Sequence, residues 1–456
     1  MEQVSLSQEQ LALFKYIEGE HTNIFVTGRA GTGKSTLLTY LVENTKKNFA
    51  VCAPTGVAAL NVGGATIHSL FGLPPGLLGT EDVARHLGKR SREVLRSIEM
   101  LVIDEISMVS ADLLDAMNRM MMAARGKNRG PFGGAQVVMF GDPYQLAPVP
   151  PNDPAERAWL AETYQSNWFF DAHVWRDADL ERYELSEIFR QHDEEFKGIL
   201  NAIRDGSCTQ EMLDRLNQAG NRYAPHDDVI RLCTVNAKVD NINFSRLAKL
   251  TTESKQFQAK FASGDAQTFG RALPVEPTLT LKVGAQVMFL KNDDQSNRKT
   301  KDGLTVRRWV NGTIGTVVDI PSDNHVAVEV DGELLDVGIS TWEKVRYEIE
   351  EDFDEETQKF KEVVVPITLA EYQQIPLRLA WAVTVHKSQG QTYEEVTVDM
   401  GSGAFSPGQT YVALSRVRSL EGLYLTRAIT LRDVMVDDDV IRFMSTKPNA
   451  AIERLF

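Results

Sequence analysis

One eight-residue stretch constrains the fold of this chain more than any other feature. Gly28-Arg29-Ala30-Gly31-Thr32-Gly33-Lys34-Ser35 matches GxxxxGK[ST], follows a short apolar run and begins an amphipathic stretch. In a strand–loop–helix context, such glycines let backbone N–H groups surround phosphates at a helix N-terminus. Lys34 would reach the β- and γ-phosphates, and Ser35 would ligate Mg²⁺. The stretch predicts a nucleotide site formed by Gly28, Ala30, Gly31, Thr32, Gly33, Lys34, Ser35 and Thr36.

The first 150 residues alternate short apolar runs with amphipathic stretches, which is typical of an α/β domain with a parallel sheet. The strand candidates are Ile24–Thr27, Phe49–Ala53, Met100–Ile103 and Val137–Phe140. In open α/β sheets, ligands bind at the carboxyl edge of the strands. We therefore expect the residues that follow these strands to line the site.

Polar segments follow the last two of these strands. Asp104 ends the third run and suits the shell of Mg²⁺, while Glu105 is placed to take a proton from the attacking water. Gln145 follows the fourth run; it can donate to a γ-phosphate and lose that contact on hydrolysis. These three residues are predicted to act together with Lys34.

Phosphoryl transfer also needs a cation close to the phosphate oxygens on which negative charge develops. An arginine finger in that position increases the rate by about 10³–10⁵-fold. Arg190 and Arg416 lie in suggestive segments, Leu185–Gln191 and Ala413–Arg416. Either arginine could instead form a surface salt bridge, because the sequence alone does not show that it reaches an interdomain cleft.

The pattern along the chain predicts two α/β domains, with a boundary near residue 170. Residues 1–170 form the first domain, and a Gly-, Pro- and Leu-rich stretch at about 72–92 is predicted to be an insertion in it. The second α/β domain comprises 171–270 and 376–456.

Between the two parts of the second domain, residues 271–375 have a sequence pattern typical of a small β-barrel. Their apolar runs are short and rich in β-branched residues, and they are punctuated by Asn311-Gly312 and Asp331-Gly332. Both dipeptides favour tight hairpins. The barrel is therefore predicted to be inserted into the second α/β domain.

Charge and composition exclude several classes of protein. Lys and Arg number 49 against 63 Asp and Glu, a net charge of −14, which argues against a protein that coats nucleic acid by bulk charge. Glu348–Glu362 holds eight acids and two lysines and is predicted to be a solvated loop that stays away from phosphate. The three cysteines are predicted to be buried thiols of a cytoplasmic protein. We expect no signal peptide, organelle-targeting segment or membrane span.

Taken in order, the motifs resemble those of the petite-integration-frequency family of superfamily-one DNA helicases. Leu6–Gln10 resembles the adenine-recognising Q motif, which implies that Gln10 reads the base. Asp112–Met117 and Pro131–Gln136 resemble the block that separates this family from RecD-type relatives. The remaining matches are Ala53–Ala59, Thr66–Ser69, Leu185–Gln191, Gly284–Met288 with Val310–Gly312, Ala382–Thr392 and Tyr411–Val417.

The resemblance implies two RecA-like domains with ATP between them, and single-stranded DNA across their tops. It makes Arg190 and Arg416 the two arginine fingers and places Gly390 at the nucleotide. The inserted unit becomes a Src-homology-3-like barrel, and the 72–92 insertion a wedge at the fork. The DNA contacts that it implies, by phosphate binding or base stacking, are Pro54, Thr55, His68, Ser69, Phe71, Tyr144, Thr234, Asn236, Thr384, His386, Lys387 and Ser388.

The function that follows is ATP- and Mg²⁺-dependent unwinding of duplex DNA by a 5′→3′ motor. We expect a bacterial or phage enzyme that acts as a monomer on single strands and forks in replication, repair or recombination. G-quadruplexes and RNA–DNA hybrids are further candidate substrates, and protein partners are unknown. Direction rests on the resemblance alone.

Other functions remain open at this point. A DNA-dependent ATPase that translocates without separating strands shares every motif. A RecD-like subunit is a further alternative, but the Pro131–Gly134 block argues against it. A P-loop kinase would leave the segments around Arg190, Lys387 and Arg416 unexplained. A non-catalytic subunit would be expected to lack Lys34 or Glu105, and both are present. The loop at Pro143-Tyr144 and Ala147 departs from the family pattern, which usually has Phe-Phe and a second proline there.

Overall fold

The computed structural model describes residues 6–74, 76–78, 85, 87–191, 193–224, 226, 228–269, 273–293, 298–299, 305–306, 308–354 and 359–446. The predicted wedge at 72–92 lies partly outside these ranges. The helices are α1 (Gln8–Gly19), α2 (Lys34–Asn44), α3 (Gly56–Asn61), α4 (Ile67–Phe71), α5 (Lys89–Ser97), α6 (Ala111–Arg125), α7 (Pro154–Thr163), α8 (His173–Asp177), α9 (Glu194–Asp205), α10 (Gln210–Gly220), α11 (Asn236–Lys249), α12 (Ala266–Phe269), α13 (Gln409–Leu414) and α14 (Asp438–Ser445).

The strands form two parallel sheets and several antiparallel units. They are β1 (Ile24–Gly28), β2 (Phe49–Ala53), β3 (Ala65–Thr66), β4 (Met100–Ile103), β5 (Gln136–Phe140), β6 (Glu181–Leu185), β7 (Arg231–Cys233), β8 (Ser254–Gln258), β9 (Lys260–Ser263), β10 (Thr278–Lys282), β11 (Gln286–Phe289), β12 (Arg298–Lys299), β13 (Thr305–Val306), β14 (Ile314–Asp319), β15 (His325–Val330), β16 (Glu333–Gly338), β17 (Ser340–Asp354), β18 (Lys359–Gln374), β19 (Leu377–Leu379), β20 (Ala382–Thr384), β21 (Val396–Asp399) and β22 (Leu423–Leu425).

The first sheet has the order β3-β2-β4-β5-β1-β6, and all its neighbours run parallel. Its four central strands are the four apolar runs predicted from the sequence, and β1, β4 and β5 are buried along their whole length. The parallel α/β fold is thereby confirmed. Because every strand runs the same way, Gly28, Asp104 and Gly141 emerge at one edge.

The second parallel sheet has the order β20-β7-β21-β22. Helices α9, α10 and α13 pack on one of its faces and form a core with the strands. Helix α11 packs against β20 and β7, where the Asn243 side chain bonds both the N–H and the carbonyl of Ala382.

The predicted boundary near residue 170 is wrong for one strand. Glu181–Leu185, which we expected to begin the second α/β domain, pairs with β1 as the sixth strand of the first sheet. Its mixture of buried and exposed residues suits an edge strand, and sequence pattern does not reveal which sheet an edge strand joins. The chain crosses to the second sheet only after β6.

A five-stranded antiparallel sheet has the order β16-β15-β14-β11-β19. Four of its strands lie in the predicted range 271–375, but β19 (Leu377–Leu379) lies beyond it, in the segment predicted to belong to the second α/β domain. The predicted hairpin at Asp331-Gly332 is confirmed, since both residues have positive φ, 49° and 80°, and β15 pairs with β16 around them. Asn311-Gly312 forms a turn before β14, but that turn does not join two paired strands. This unit encloses a separate core.

The acidic run 348–362 is not the solvated loop that we predicted. Its described residues lie in the long hairpin β17–β18, which reaches the first domain. The Tyr347 hydroxyl accepts a hydrogen bond from Val51 N at 2.9 Å, and Arg90 pairs with Glu348 at 2.6 Å. The Asn48 side chain donates to Glu362 O at 2.9 Å. Pairing of two long strands and contacts with the first domain, rather than local charge, decide its conformation.

Helix α14 also returns to the first domain, so residues 376–456 do not all belong to the second. The Phe443 ring stacks on Phe170 with a centroid distance of 4.2 Å, and it also meets Phe25 and Trp175. Val440 is buried in the same core. Among the helices given above, none combines the length and the apolar surface that crossing a membrane requires.

Candidate nucleotide site and DNA-facing surface

The loop between β1 and α2 is shaped by glycines whose neighbours approach closely. Gly31 and Gly33 have φ of 84° and 76°. A Cβ on Gly31 would lie 2.4 Å from Cβ of Arg190, and one on Gly33 would lie 2.3 Å from Nε2 of Gln10. These positions therefore need glycine both for backbone conformation and for space. Ser35 and Thr36 are exposed at the start of α2.

The predicted phosphate-binding lysine lies inside this loop. Lys34 Nζ donates to Gly28 O at 2.6 Å and to Arg29 O at 3.1 Å. Burial lowers the pKa of its ammonium group, and the carboxylate of Asp142 opposes that shift. The amine is thus held on the loop by carbonyl oxygens that a phosphate would replace as its partners.

Gln10 is positioned by the N-terminus of α1 and touches the phosphate loop. It forms a capping box with Ser7, and its Nε2 donates to Gly33 O at 3.2 Å. Its side chain is buried and lines the same cavity as Lys34. The placement suits a residue that recognises the part of a nucleotide beyond its phosphates.

The acidic pair ends β4, as predicted. Glu105 adopts a left-handed backbone conformation with φ of 51°, and its N–H donates to Oδ1 of Asp104 at 2.9 Å. Burial raises the pKa of both carboxyl groups, and the neighbouring Asp104 raises that of Glu105 further. Strained backbone is typical of residues held in place for a function.

Gln145 is linked to two residues that the sequence analysis missed. Its Nε2 donates to Oδ2 of Asp142 at 3.3 Å, and Arg204 of α9 pairs with Asp142 at 3.0 Å. The signal was present in Gly141-Asp142, which directly follows β5. The Arg204 guanidinium lies 4.3 Å from the centroid of the Tyr144 ring. The Arg204 cation thus occupies one face of the Tyr144 ring, and stacking of this ring on a DNA base stays a prediction.

Both predicted finger arginines reach the cleft between the sheets. Arg190 donates to Ser415 O and to Gly390 O, each at 3.3 Å. Arg416 is only 1% exposed and donates to Val412 O at 2.8 Å and to the Ser415 hydroxyl at 2.7 Å. Burial, and then Arg416, lower the pKa of Arg190 to about 9. Neither arginine forms an ion pair within the described ranges, so the surface salt-bridge alternative is wrong.

These residues meet in one cavity of about 510 Å³. It is lined from the first domain by the phosphate loop, Asp104, Glu105 and Gln145, and from the other side by Arg190, Gln389, Gly390, Arg416 and Arg418. Tyr411 of α13 reaches across the cleft, and its hydroxyl accepts a hydrogen bond from Ala30 N at 2.8 Å. The cavity thus depends on both sheets.

Gln389 is a further site residue that the sequence analysis did not single out. Its Nε2 donates to Oε2 of Glu105 at 3.1 Å and to Oε1 of Gln145 at 3.2 Å. One amide of the second domain therefore holds the expected base and the expected sensor of the first. The sequence offered one indication of this role, since Gln389 directly precedes Gly390, which was predicted to lie at the nucleotide.

We predict that Gln389→Met lowers the kcat of DNA-stimulated ATP hydrolysis by about tenfold, since a hydrogen bond to a charged group contributes about 1.5–3 kcal/mol. Methionine keeps the length of the side chain but donates no hydrogen bond. The measurement is steady-state hydrolysis over a range of ATP concentrations, with the exposed Gln267→Met as the matched control. A variant with unchanged kcat would show that the bridge has no part in turnover.

The DNA-facing predictions on the first domain have mixed outcomes. Pro54, Thr55, His68 and Ser69 are partly exposed near the carboxyl edge of its sheet. Phe71 is fully buried in the main core of that domain, so its prediction as a base-stacking ring is wrong. The short helix α4 turns Phe71 inward together with its other apolar side chains.

On the second domain, exposure separates the predicted contacts. His386 and Lys387 are exposed, whereas Thr384 is 4% and Ser388 0% exposed. Thr384 Oγ1 accepts a hydrogen bond from Lys387 N, and the Ser388 hydroxyl donates to Val385 O at 2.8 Å. The predictions of side-chain DNA contact for Thr384 and Ser388 are wrong, because these hydroxyls fold the turn that presents its two neighbours.

The remaining two candidates follow β7. Thr234 is 9% exposed, and Asn236 is exposed as the first residue of α11. Both lie at the carboxyl edge of the second sheet, the edge from which His386 and Lys387 also emerge.

Fold and site together define a motor-type P-loop NTPase with two RecA-like sheets. The sequence profile of the PIF1-like helicases matches residues 5–214, and the chain is 33% identical over 446 residues to the ATP-dependent DNA helicase Pif1 of Bdellovibrio bacteriovorus. That alignment covers 97% of this chain and 92% of the relative. The chain belongs to the PIF1-like helicase family.

Solved structures agree with this assignment. A crystal structure of Bacteroides sp. Pif1 in complex with ADP-AlF4 matches with a TM-score of 0.83 at 35% identity, covering 96% of both chains. A structure of Pif1 from Bacteroides in complex with ADP-AlF3 and single-stranded DNA matches with a TM-score of 0.66, again at 35% identity and 96% of both chains.

Proposed function

We propose that the chain is an ATP-dependent DNA helicase that moves 5′→3′ along single-stranded DNA and separates duplex ahead of it. The observation that carries the proposal is the shared cavity, in which the phosphate loop and the acidic pair face Arg190 and Arg416 across the cleft. A nucleotide bound there would contact both sheets at once.

ATP would close the cleft because contacts from both sides converge on its γ-phosphate. Lys34 and Gln145 supply them from the first domain, and Arg190 and Arg416 from across the cleft. Glu105 would accept the proton of the attacking water. Hydrolysis removes these shared contacts, so the cleft reopens. Gln10 and Gly390 line the same cavity and are proposed to contact the rest of the nucleotide.

Ser35 and Asp104 fit a Mg²⁺ ion. The first is an exposed hydroxyl at the start of α2, the second is a partly exposed carboxylate, and both line the cavity. Hydroxyl, carboxylate and phosphate oxygens are the ligands that Mg²⁺ prefers in nucleotide sites. A bound Mg²⁺ would neutralise charge on the β- and γ-phosphates.

A DNA strand is proposed to lie across the carboxyl edges of both sheets. Ser69 and His68 would contact it on the first domain, and His386, Lys387 and Asn236 on the second. Alternate grip by the two domains during opening and closure would give one step per ATP. Separating a base-pair step costs about 1.4 kcal/mol on average.

The two Bacteroides comparisons support a rearrangement on strand binding. This chain superimposes more closely on the ADP-AlF4 complex, with a TM-score of 0.83, than on the complex that includes single-stranded DNA, with 0.66. Sequence identity is the same in both, so the difference concerns arrangement rather than relatedness.

Two accessory units are part of the proposal. The five-stranded antiparallel sheet, which 271–375 supplies except for β19 at Leu377–Leu379, is proposed to be the Src-homology-3-like barrel of the family. The 72–92 insertion is proposed to be the wedge at the fork, anchored by Leu78 and Leu87, both buried in the main core of the first domain. Anchoring of this kind suits an element that must resist force from the duplex.

Further proposals rest on the family alone. These are a monomeric, cytoplasmic, bacterial or phage enzyme, and substrates beyond forks, namely G-quadruplexes and RNA–DNA hybrids.

The testing experiment is strand separation on two matched duplexes, one with a 5′ single-stranded tail and one with a 3′ tail. We expect ATP-dependent unwinding of the 5′-tailed duplex alone, measured by release of a fluorescent strand. Unwinding of only the 3′-tailed duplex would support the proposed helicase activity but contradict the proposed 5′→3′ direction. If neither duplex is unwound although DNA still stimulates ATP hydrolysis, the protein is a translocase that does not separate strands.

A further inference from the structure

The segment 186–191 leads the chain from the first sheet to the second domain, and we call it the connector. At its start, the Glu9 carboxylate accepts hydrogen bonds from the N–H and the hydroxyl of Ser186, each at 3.0 Å. At its end, the Gln191 side chain is 2% exposed and donates to Ser415 O at 3.1 Å. One end of the connector is thus fixed to the first domain and the other end to the second.

Between its two ends, the connector contacts the glycines of the phosphate loop. The N–H of Phe189 donates a hydrogen bond to Gly31 O at 2.9 Å. A Cβ on Gly33 would lie 3.7 Å from Cδ2 of Phe189 and 2.3 Å from Nε2 of Gln10. The Phe189 ring therefore lies at the same glycine as the Gln10 amide, which is proposed to contact the nucleotide beyond its phosphates.

The Phe189 ring lines the nucleotide cavity instead of a core. Its side chain is 45% exposed, and it is part of no apolar core formed by the described residues. An aromatic ring left in water gives up the favourable free energy that its burial would provide. The flat face of a nucleobase is a good partner for such a ring. The position of Phe189 is thus better explained by a ligand than by packing.

The residue that follows Phe189 is Arg190, one of the two proposed fingers. Its guanidinium donates to Ser415 O and to Gly390 O, each at 3.3 Å. A Cβ on Gly31 would lie 2.4 Å from Cβ of Arg190, so the arginine also packs on the phosphate loop. A base that holds the Phe189 ring in place would therefore restrict the backbone from which the arginine extends.

We propose that Phe189 stacks on the base of the bound nucleoside triphosphate and thereby positions Arg190 at the γ-phosphate. The inference rests on the proposed function and adds a positioning residue to it. Stacking uses the ring face that every base has, so recognition of the base edge is left to Gln10. Binding energy from a part of the substrate far from the reacting bond can be used to orient the groups that react. The base therefore contributes to kcat as well as to affinity.

The test measures ATP hydrolysis at saturating single-stranded DNA over a range of ATP concentrations. We expect Phe189→Ala to raise KM about tenfold, which is the size of effect that loss of one base–aromatic stack produces. We also expect kcat to fall by about fivefold or more, because Arg190 is less well positioned. Phe189→Trp keeps a stacking ring, so both constants should stay within about twofold of wild type. The matched control is Phe405→Ala, which removes a ring that is 61% exposed and does not line the described cavity.

Inorganic tripolyphosphate separates loss of the base contact from damage to the phosphate loop. It has three phosphates and no base, so its inhibition constant against ATP hydrolysis should be the same for Phe189→Ala and wild type. The proposal is overturned by an unchanged KM or kcat in Phe189→Ala, by an inhibition constant that rises as much as KM, or by equal losses in Phe189→Trp or the control. Wild-type protein without DNA-stimulated ATP hydrolysis would instead count against the proposed function.

Discussion

Lys34→Ala should reduce ATP hydrolysis to background, a loss of at least about 10³-fold in kcat/KM. The ammonium group is the cation of the phosphate loop, and no other lysine lines the described cavity. A cation on the transferred phosphoryl group can contribute about 10³–10⁵ in rate. The measurement is phosphate release with saturating single-stranded DNA, and strand binding should be largely retained because the lysine lies inside the loop.

The control for this variant is Lys127→Ala, which removes an exposed lysine from the same domain. Since Lys34 also donates to Gly28 O and Arg29 O, thermal melting of both variants must show that the loop remains folded. ATP turnover that survived in a folded Lys34→Ala protein would refute the assignment of the phosphate site.

Arg416→Ala should lower the kcat of DNA-stimulated hydrolysis by about 10³–10⁵-fold, which corresponds to about 4–7 kcal/mol. The side chain comes from the second sheet and lines the cavity with Lys34 and Glu105, so it can stabilise charge that develops during phosphoryl transfer. Nucleotide affinity should change much less than kcat. Single-turnover hydrolysis and binding of a fluorescent ATP analogue separate the two effects.

Because Arg416 is almost fully buried and bonded to Val412 O and the Ser415 hydroxyl, its loss also has a structural cost. Arg416→Lys, which keeps the charge but not the planar fork, is therefore measured beside it, with the exposed Arg432→Ala as control. If Arg416→Ala melts like wild type and hydrolyses ATP at the wild-type rate, Arg416 is not a finger.

The nucleotide site was predictable because its determinants are local. A strand, a glycine-rich turn and a helix are contiguous in sequence, and a parallel sheet brings the ends of β1, β4 and β5 to one edge. Lys34, Glu105 and Gln145 therefore fall in one cavity without any long-range information. Gln389 was not predicted as a site residue, because its role depends on contact between the two domains.

Burial is what the sequence could not show for the DNA-facing residues. Phe71 and Ser388 have side chains suited to stacking or phosphate contact, yet both are fully buried. The family-specific block is similarly structural: Asp115 is buried and accepts hydrogen bonds from Val174 N and the Tyr164 hydroxyl. A motif therefore identifies a family without showing which of its residues meet a ligand.

Domain boundaries failed for a related reason. Strand β6, hairpin β17–β18 and helix α14 all contact the first domain, although each lies in sequence among segments assigned elsewhere. Local composition indicates helix, strand or charge, whereas the segment with which an element packs can lie far away in sequence, as Ile24 of β1 does from Glu181 of β6.

Helix α14 also determines when, during synthesis of the chain, the core of the first domain can be completed. Arg182 of β6 donates to Phe443 O across 261 positions of chain, and Phe443 and Val440 complete the aromatic core on which the first sheet rests. A ribosome adding about 5–20 residues per second needs about 13–50 s to cover that distance. Throughout that interval the nascent first domain exposes the aromatic surface that Phe443 will cover. The phosphate loop is thus synthesised long before the helix that completes the core of its own domain.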